Sequence, residues 1–87
     1  MPKARITLEE RPRRMAMMET KMRYAVMLDG VEFSDLYWNI RGYRGVVPTL
    51  CSDGAIGSFD PGEVSLAEFK REIAQSNRDL REAFPTA

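Results

Sequence analysis

Tyr37-Trp38-Asn39-Ile40-Arg41-Gly42-Tyr43-Arg44-Gly45 puts three aromatic rings and two guanidinium groups into nine consecutive residues. Arginine interleaved with aromatics can hold phosphate and stack bases. The same residue types dominate the hot spots of protein interfaces. Side chains alternate along a strand, so Tyr37, Asn39 and Arg41 point away from Leu36, Trp38 and Ile40. Tyr43 and Arg44 follow across a turn at Gly42–Gly45. Tyr37, Asn39, Arg41, Tyr43 and Arg44 are therefore expected to form one exposed binding patch. The plainer alternative makes Tyr37 and Trp38 core or boundary residues and the arginines solvated neighbours of Glu32 and Asp35.

Catalysis has little else to draw on. Histidine is absent, which removes the commonest general base near neutral pH and the commonest metal ligand. A single cysteine, Cys51, excludes an internal disulfide and a multi-cysteine zinc site. Free cysteine is usually buried, so Cys51 is expected to be a structural thiol inside the fold. No Gly-rich phosphate loop ends in Gly-Lys-Ser/Thr. Asp53, Asp60 and Glu63 lack the tight alternation of oxygen ligands that calcium needs. They read instead as turn residues and, for Glu63, as a carboxylate favouring a helix N-terminus. No metal and no cofactor is expected, and the chain reads as non-enzymatic.

The formal net charge of zero hides a division. Residues 1–23 carry a net +4, residues 24–64 a net −4, and residues 65–87 balance. A basic, methionine-rich arm over residues 1–21 thus precedes an acidic body over residues 22–87. The arm could contact an acidic partner or fold back on its own body. The body alone lacks the basic excess that phosphate neutralisation favours in nucleic-acid modules. No apolar run is long enough to span a bilayer, so no membrane partner is expected. With one cysteine, a cytoplasmic, reducing setting is the expectation.

The elements that must position the patch follow from periodicity. Asp29-Gly30 between Tyr24–Leu28 and Val31–Phe33 predicts a hairpin with a type I′ turn, because both central residues there need positive φ. The simple register sets Leu28 opposite Val31, Val26 opposite Phe33 and Tyr24 opposite Asp35. Beyond Phe33 the alternation changes phase, which predicts a bulge or break near Ser34-Asp35. Val46–Cys51 is a candidate third strand, with Pro48 pointing to an edge. Ala55–Phe59 is a candidate fourth. Ser65-Leu66-Ala67-Glu68 is a capping box opening a helix. Leu66, Phe69, Ile73, Leu80 and Phe84 give that helix one apolar stripe, and Pro85 stops it.

The arm is less regular. Thr7-Leu8-Glu9-Glu10 also has capping-box form, but Pro12 breaks any helix there. Met15–Met18 allow a short helical turn, and Met22 is an alternative start. The expectation is an α+β fold. An antiparallel sheet of three to four strands, a meander beginning with a hairpin at 22–40, is covered on one face by a C-terminal helix at 65–84, with a partly ordered arm.

The functional expectation is a small interaction domain that binds a protein partner or forms a homo-oligomer, acting as an accessory or inhibitory factor. Two alternatives stand beside it. One is nucleic-acid binding through the Tyr/Arg patch and the arm. The other is a small-ligand pocket between sheet and helix, lined by Trp38.

Overall fold

The structure, a computed structural model, describes residues 5–11 and 23–84. The expectations for Pro12, Met15–Met18, Met22 as a start and Pro85 lie outside the described residues. At Asp29-Gly30 the chain reverses with φ of 54° and 81°, the two positive values the turn requires. The hairpin joins β2 (Arg23–Leu28) to β3 (Val31–Asn39). Leu28 lies opposite Val31, as expected, but Val26 lies opposite Ser34 and Tyr24 opposite Leu36. Met27 pairs with Glu32, so Phe33 is the extra residue of a bulge. The expected change of phase is therefore real but begins one residue earlier. It moves Leu36 onto the face of Tyr24 and Val26; Val31, on the turn side of the bulge, keeps its expected partner and is exposed.

Asp29 has a second task. Its main-chain N–H donates to Arg5 O at 2.9 Å, and its Oδ1 accepts from Arg5 N at 2.8 Å. This clamps the start of β1 (Ile6–Arg11), which pairs with β2 over six residues. The capping box read at Thr7–Glu10 does not open a helix; its residues lie within this strand. Part of the arm is thus built into the sheet. Across it, Arg11 faces Arg23, a like-charge pair that is unfavourable by itself. Glu9 and Glu32 answer Arg11, and Asp35 answers Arg23.

Beyond β3 the chain turns at Ile40-Arg41 into β4 (Gly42–Arg44). The first sheet has the order β1-β2-β3-β4, all antiparallel. The third and fourth expected strands exist, but as a separate two-stranded sheet: β5 (Val47–Leu50) and β6 (Ile56–Phe59). The Ser34 hydroxyl donates to Val46 O at 2.8 Å and ties this second sheet to β3.

The helix α1 (Leu66–Ala83) starts as read. Ser65 is its N-cap, and both arms of the capping box form with Glu68. Phe69, Ile73 and Leu80 are buried with Ile6, Val26, Leu36, Tyr43 and Val47 in one core. Phe84, assigned to the stripe by spacing, is the C-cap and exposed. Two polar residues fasten the helix. Ser76 is buried in the gap of the stripe and donates its hydroxyl to Pro48 O in β5. The Asn77 amide accepts from Ile6 N at 2.8 Å and donates to Ile6 O at 3.0 Å. It acts as a strand would on the outer edge of β1.

Two outcomes follow. Asn77→Ala leaves the Ile6 N–H and C=O without their partner in a half-buried setting. The expected cost is about 1–3 kcal/mol, read as a drop of about 4–8 °C in Tm per kcal/mol for a domain of this size; calorimetry checks it. A chain beginning at Met22 loses β1 and the buried Ile6. It should show no cooperative thermal transition by circular dichroism, whereas a sharp transition near that of the whole chain would make β1 dispensable.

Candidate functional site

The β3–β4 hairpin sets the candidate patch. Its register places Tyr37 opposite Arg44, Trp38 opposite Tyr43 and Asn39 opposite Gly42. Tyr37, Asn39 and Arg44 thus share the outer face, while Trp38 and Tyr43 point to the core. The expected single patch of five residues does not form. Tyr43, assigned to it, is only 7% exposed. Gly42–Gly45, expected to be a turn because its glycines permit unusual φ, holds strand β4 over Gly42–Arg44. A strand forms there because its outer edge is paired. Tyr43 N donates to Val64 O at 2.7 Å and Val64 N to Tyr43 O at 3.0 Å. Gly42 makes this approach possible: a Cβ there would stand 2.9 Å from Val64 O.

Once inward, Tyr43 packs between two other rings. Its centroid lies 5.3 Å from Trp38, nearly edge-on at 71°, and 6.1 Å from Tyr24, tilted at 57°. Such pairs favour offset or edge geometry and add about 0.5–1.5 kcal/mol beyond burial. The aromatic content of the segment is thus largely structural. Tyr37 is the exception, 43% exposed.

Charge on the outer face is also largely answered. The Arg44 guanidinium donates to Asp60 Oδ2 at 2.8 Å, and this bond raises its pKa further. The Asn39 amide donates to Glu63, so Glu63 serves the hairpin as well as standing near the helix start. Asp60 and Asp53 keep the turn roles read for them, accepting from Gly62 N at 2.8 Å and Ala55 N at 3.0 Å. Arg41 differs: it is exposed at the hairpin tip with no ion-pair partner among the described residues. Ile40 beside it, expected on the core face, lies in the turn and is 85% exposed.

Between the hairpin tip and the helix start lies a groove of about 590 Å³. Trp38, Tyr43, Val64 and Leu66 supply its apolar lining, and Arg41, Glu63, Ser65 and Glu68 its polar lining. The bridge at Val64 and the capping box at Ser65 hold both walls. The helix N-terminus, where Glu68 bonds Ser65, has its orphan donors partly satisfied from within. For a pocket between sheet and helix the sequence points to Trp38 alone; Arg41, expected in the outer patch, and Val64 and Leu66 also line this groove. The signal was present, since Val64-Ser65-Leu66 brackets the N-cap with apolar residues and fixes how the chain enters the helix.

Cys51 is exposed, not buried as expected. It ends β5 at a tight turn, where its N–H donates to Ala55 O at 2.8 Å and its carbonyl accepts from Gly54 N at 3.0 Å. Those main-chain demands fix its place, and the turn projects from the core. Among the described residues no three acidic or thiol side chains converge as metal ligands would. No helix among them is long and apolar enough to cross a membrane.

Asp60 carries a testable pH signature. The Gly62 N–H and then the Arg44 guanidinium hold its carboxyl below the ordinary value. A carboxyl lowered by folding adds stability above its unfolded pKa and loses it as pH falls through the folded one. Asp60→Asn should therefore flatten the acid limb of a Tm-versus-pH curve measured from pH 7 to pH 2, with the variants converging at the acid end. No family model, curated protein or solved structure matches this chain.

Proposed function

We propose that this is a non-enzymatic interaction domain that grips a protein partner at the end of the β3–β4 hairpin. The observation that carries the reading is the pairing of Ile40 and Arg41 at the tip with the Trp38-floored groove beside them. Ile40, 85% exposed in the turn, buries little apolar area within its own fold. A guanidinium without an ionic partner among the described residues is available for one. Tyr37 extends the surface on the outer face. Aromatic, arginine and apolar residues around a desolvated centre are the composition of an interface hot spot.

Charge favours protein over nucleic acid. Arg44 is held by Asp60, Arg23 by Asp35, and Arg11 by Glu9 and Glu32. Each neutralised guanidinium is one fewer phosphate contact. Glu63 and Glu68 in the groove wall would also repel a phosphate backbone.

The test places a photo-crosslinking amino acid at position 40 and, as control, at the exposed helix position 70. A discrete protein adduct from position 40 that Arg41→Glu reduces by about tenfold or more, with Tm unchanged, supports the reading. Equal adducts from both positions, or none, count against it. Sedimentation of the purified chain reveals whether that partner is a second copy. A salt titration against single- and double-stranded oligonucleotides addresses the alternative, since phosphate binding must weaken steeply with salt.

A further inference from the structure

An open strand edge can pair with another chain, so native edges are covered, charged or broken. Here the outer edge of β4 is closed by the paired bonds between Tyr43 and Val64. On β1 the Asn77 amide takes Ile6, and the strand ends in Glu9-Glu10-Arg11. On β5, Pro48 has no N–H, and its carbonyl accepts from Ser76. The outer edge of β6, Ile56-Gly57-Ser58-Phe59, has none of these devices. It carries no charge and no proline, and β5 is its sole ladder partner among the described residues.

The ladder with β5 decides which groups face out. Cys51 N donates to Ala55 O at 2.8 Å, and bonded and unbonded pairs alternate along an antiparallel ladder. Leu50–Ile56 and Pro48–Ser58 are therefore unbonded pairs. The N–H and C=O of Ile56 and Ser58 point away from β5, and none of them has a partner among the described residues.

Two outward residues with one between them fit their own copy. A two-fold axis through Gly57, perpendicular to the sheet, lays Ile56 opposite the second copy's Ser58 and Ser58 opposite its Ile56. Each of these pairs exchanges both main-chain bonds, and one surface meets itself. The side chains agree with this register. The two Gly57 residues meet on the axis as an unbonded pair, whose Cα atoms approach to about 4.5 Å. Phe59 stands opposite the second copy's Ala55 and diagonal to its Gly57, so the largest side chain of the strand meets the two smallest. On the other face Ile56 stands opposite Ser58. In the single chain Phe59 is 45% exposed and Ile56 38%; cross-strand pairing covers both. A strand without charge opposes no like charges when it meets itself, and it has no charge with which to select a charged partner.

The helix leaves room for the copy. Ser76 ties α1 to the Pro48 carbonyl, which points to the side of β5 away from β6. In the pair both helices lie on one face of a continuous four-stranded sheet, separated by the two β6 strands.

We infer that β6 is a self-association edge, joining two copies of this chain through an antiparallel β6–β6 ladder centred on Gly57. So short an edge buries well under the roughly 1,200 Å² of a stable interface. The dimer is accordingly a transient one, with a Kd on the order of 0.1 mM. It uses no residue of the hairpin tip and is independent of the contact proposed there.

Sedimentation velocity of the whole chain from about 10 µM to about 1 mM should show monomer passing to dimer. Over the same range amide hydrogen exchange at Ile56 and Ser58 should slow. In a mixture of isotope-labelled and unlabelled chains, filtered NOEs should join the Gly57 Hα protons of the two copies. Ser58→Pro deletes an outward N–H in each copy and spares the ladder to β5. It should weaken association about tenfold or more with the circular dichroism spectrum preserved. Ile56→Lys, at an exposed position, sets like charges diagonally across the axis and should act in the same direction; it decides the matter should the proline variant unfold. Arg41→Glu at the hairpin tip should leave association unchanged. A monomer at about 1 mM, a dimer that survives the β6 substitutions, or a dimer that is lost with Arg41→Glu or makes its cross-copy contacts around Trp38 would overturn the inference.

Discussion

Two consecutive helix residues, Ser76 and Asn77, answer outward main-chain groups on two different sheets. Ser76 reaches Pro48 in β5, and Asn77 reaches Ile6 in β1. A helix can roof two sheets only if the polar edges it covers are satisfied, because a buried main-chain group without a partner costs more than its hydrogen bond contributes. An alanine pair here would keep the helix and leave the seam beneath it unpaired. The core residues Ile6, Val26, Leu36, Val47 and Leu80 then have no reason to close from both sides at once. Apolar burial supplies the driving force in this domain, and these two polar side chains decide where it is applied.

Local features of the fold were legible in the sequence. Asp29-Gly30 and Ser65–Glu68 were read correctly because their chemistry is complete within four residues. The phase change after Phe33 was also visible, since parity is a property of the strand itself. The α+β architecture and the C-terminal helix follow from these signals. What could not be read depended on partners far along the chain. Thr7-Leu8-Glu9-Glu10 satisfies a capping-box pattern, yet β2 and Asn77 make it a strand. Tyr43 sits between glycines, yet its bridge to Val64 makes it core. Cys51 has the composition of a buried residue and a position dictated by its turn.

The candidate site illustrates the same division. Residue types alone gathered Tyr37, Asn39, Arg41, Tyr43 and Arg44 into one cluster. The fold disperses them by giving each a different neighbour. Tyr43 goes to Trp38 and Tyr24, Arg44 to Asp60, and Asn39 to Glu63. What remains at the surface is what the fold does not use: Ile40, Arg41 and half of Tyr37. A side chain already engaged within its own chain must break that contact before it can bind elsewhere.

A balanced composition need not mean a balanced surface. The excess of base in residues 1–23 and of acid in residues 24–64 is partly cancelled by contact, as Arg11 meets Glu32 and Arg23 meets Asp35 across the first sheet. The helix carries equal numbers of each sign, yet Glu72 and Asp79 line a groove against Val47, Thr49 and Phe59 without a cation among its residues. Charge is therefore neutralised where the strands of the first sheet pair and left uncompensated where the helix meets the second. Net charge sets how strongly the whole molecule is drawn to another. The local arrangement sets where contact can be made, and in this chain the second of these holds the information about binding.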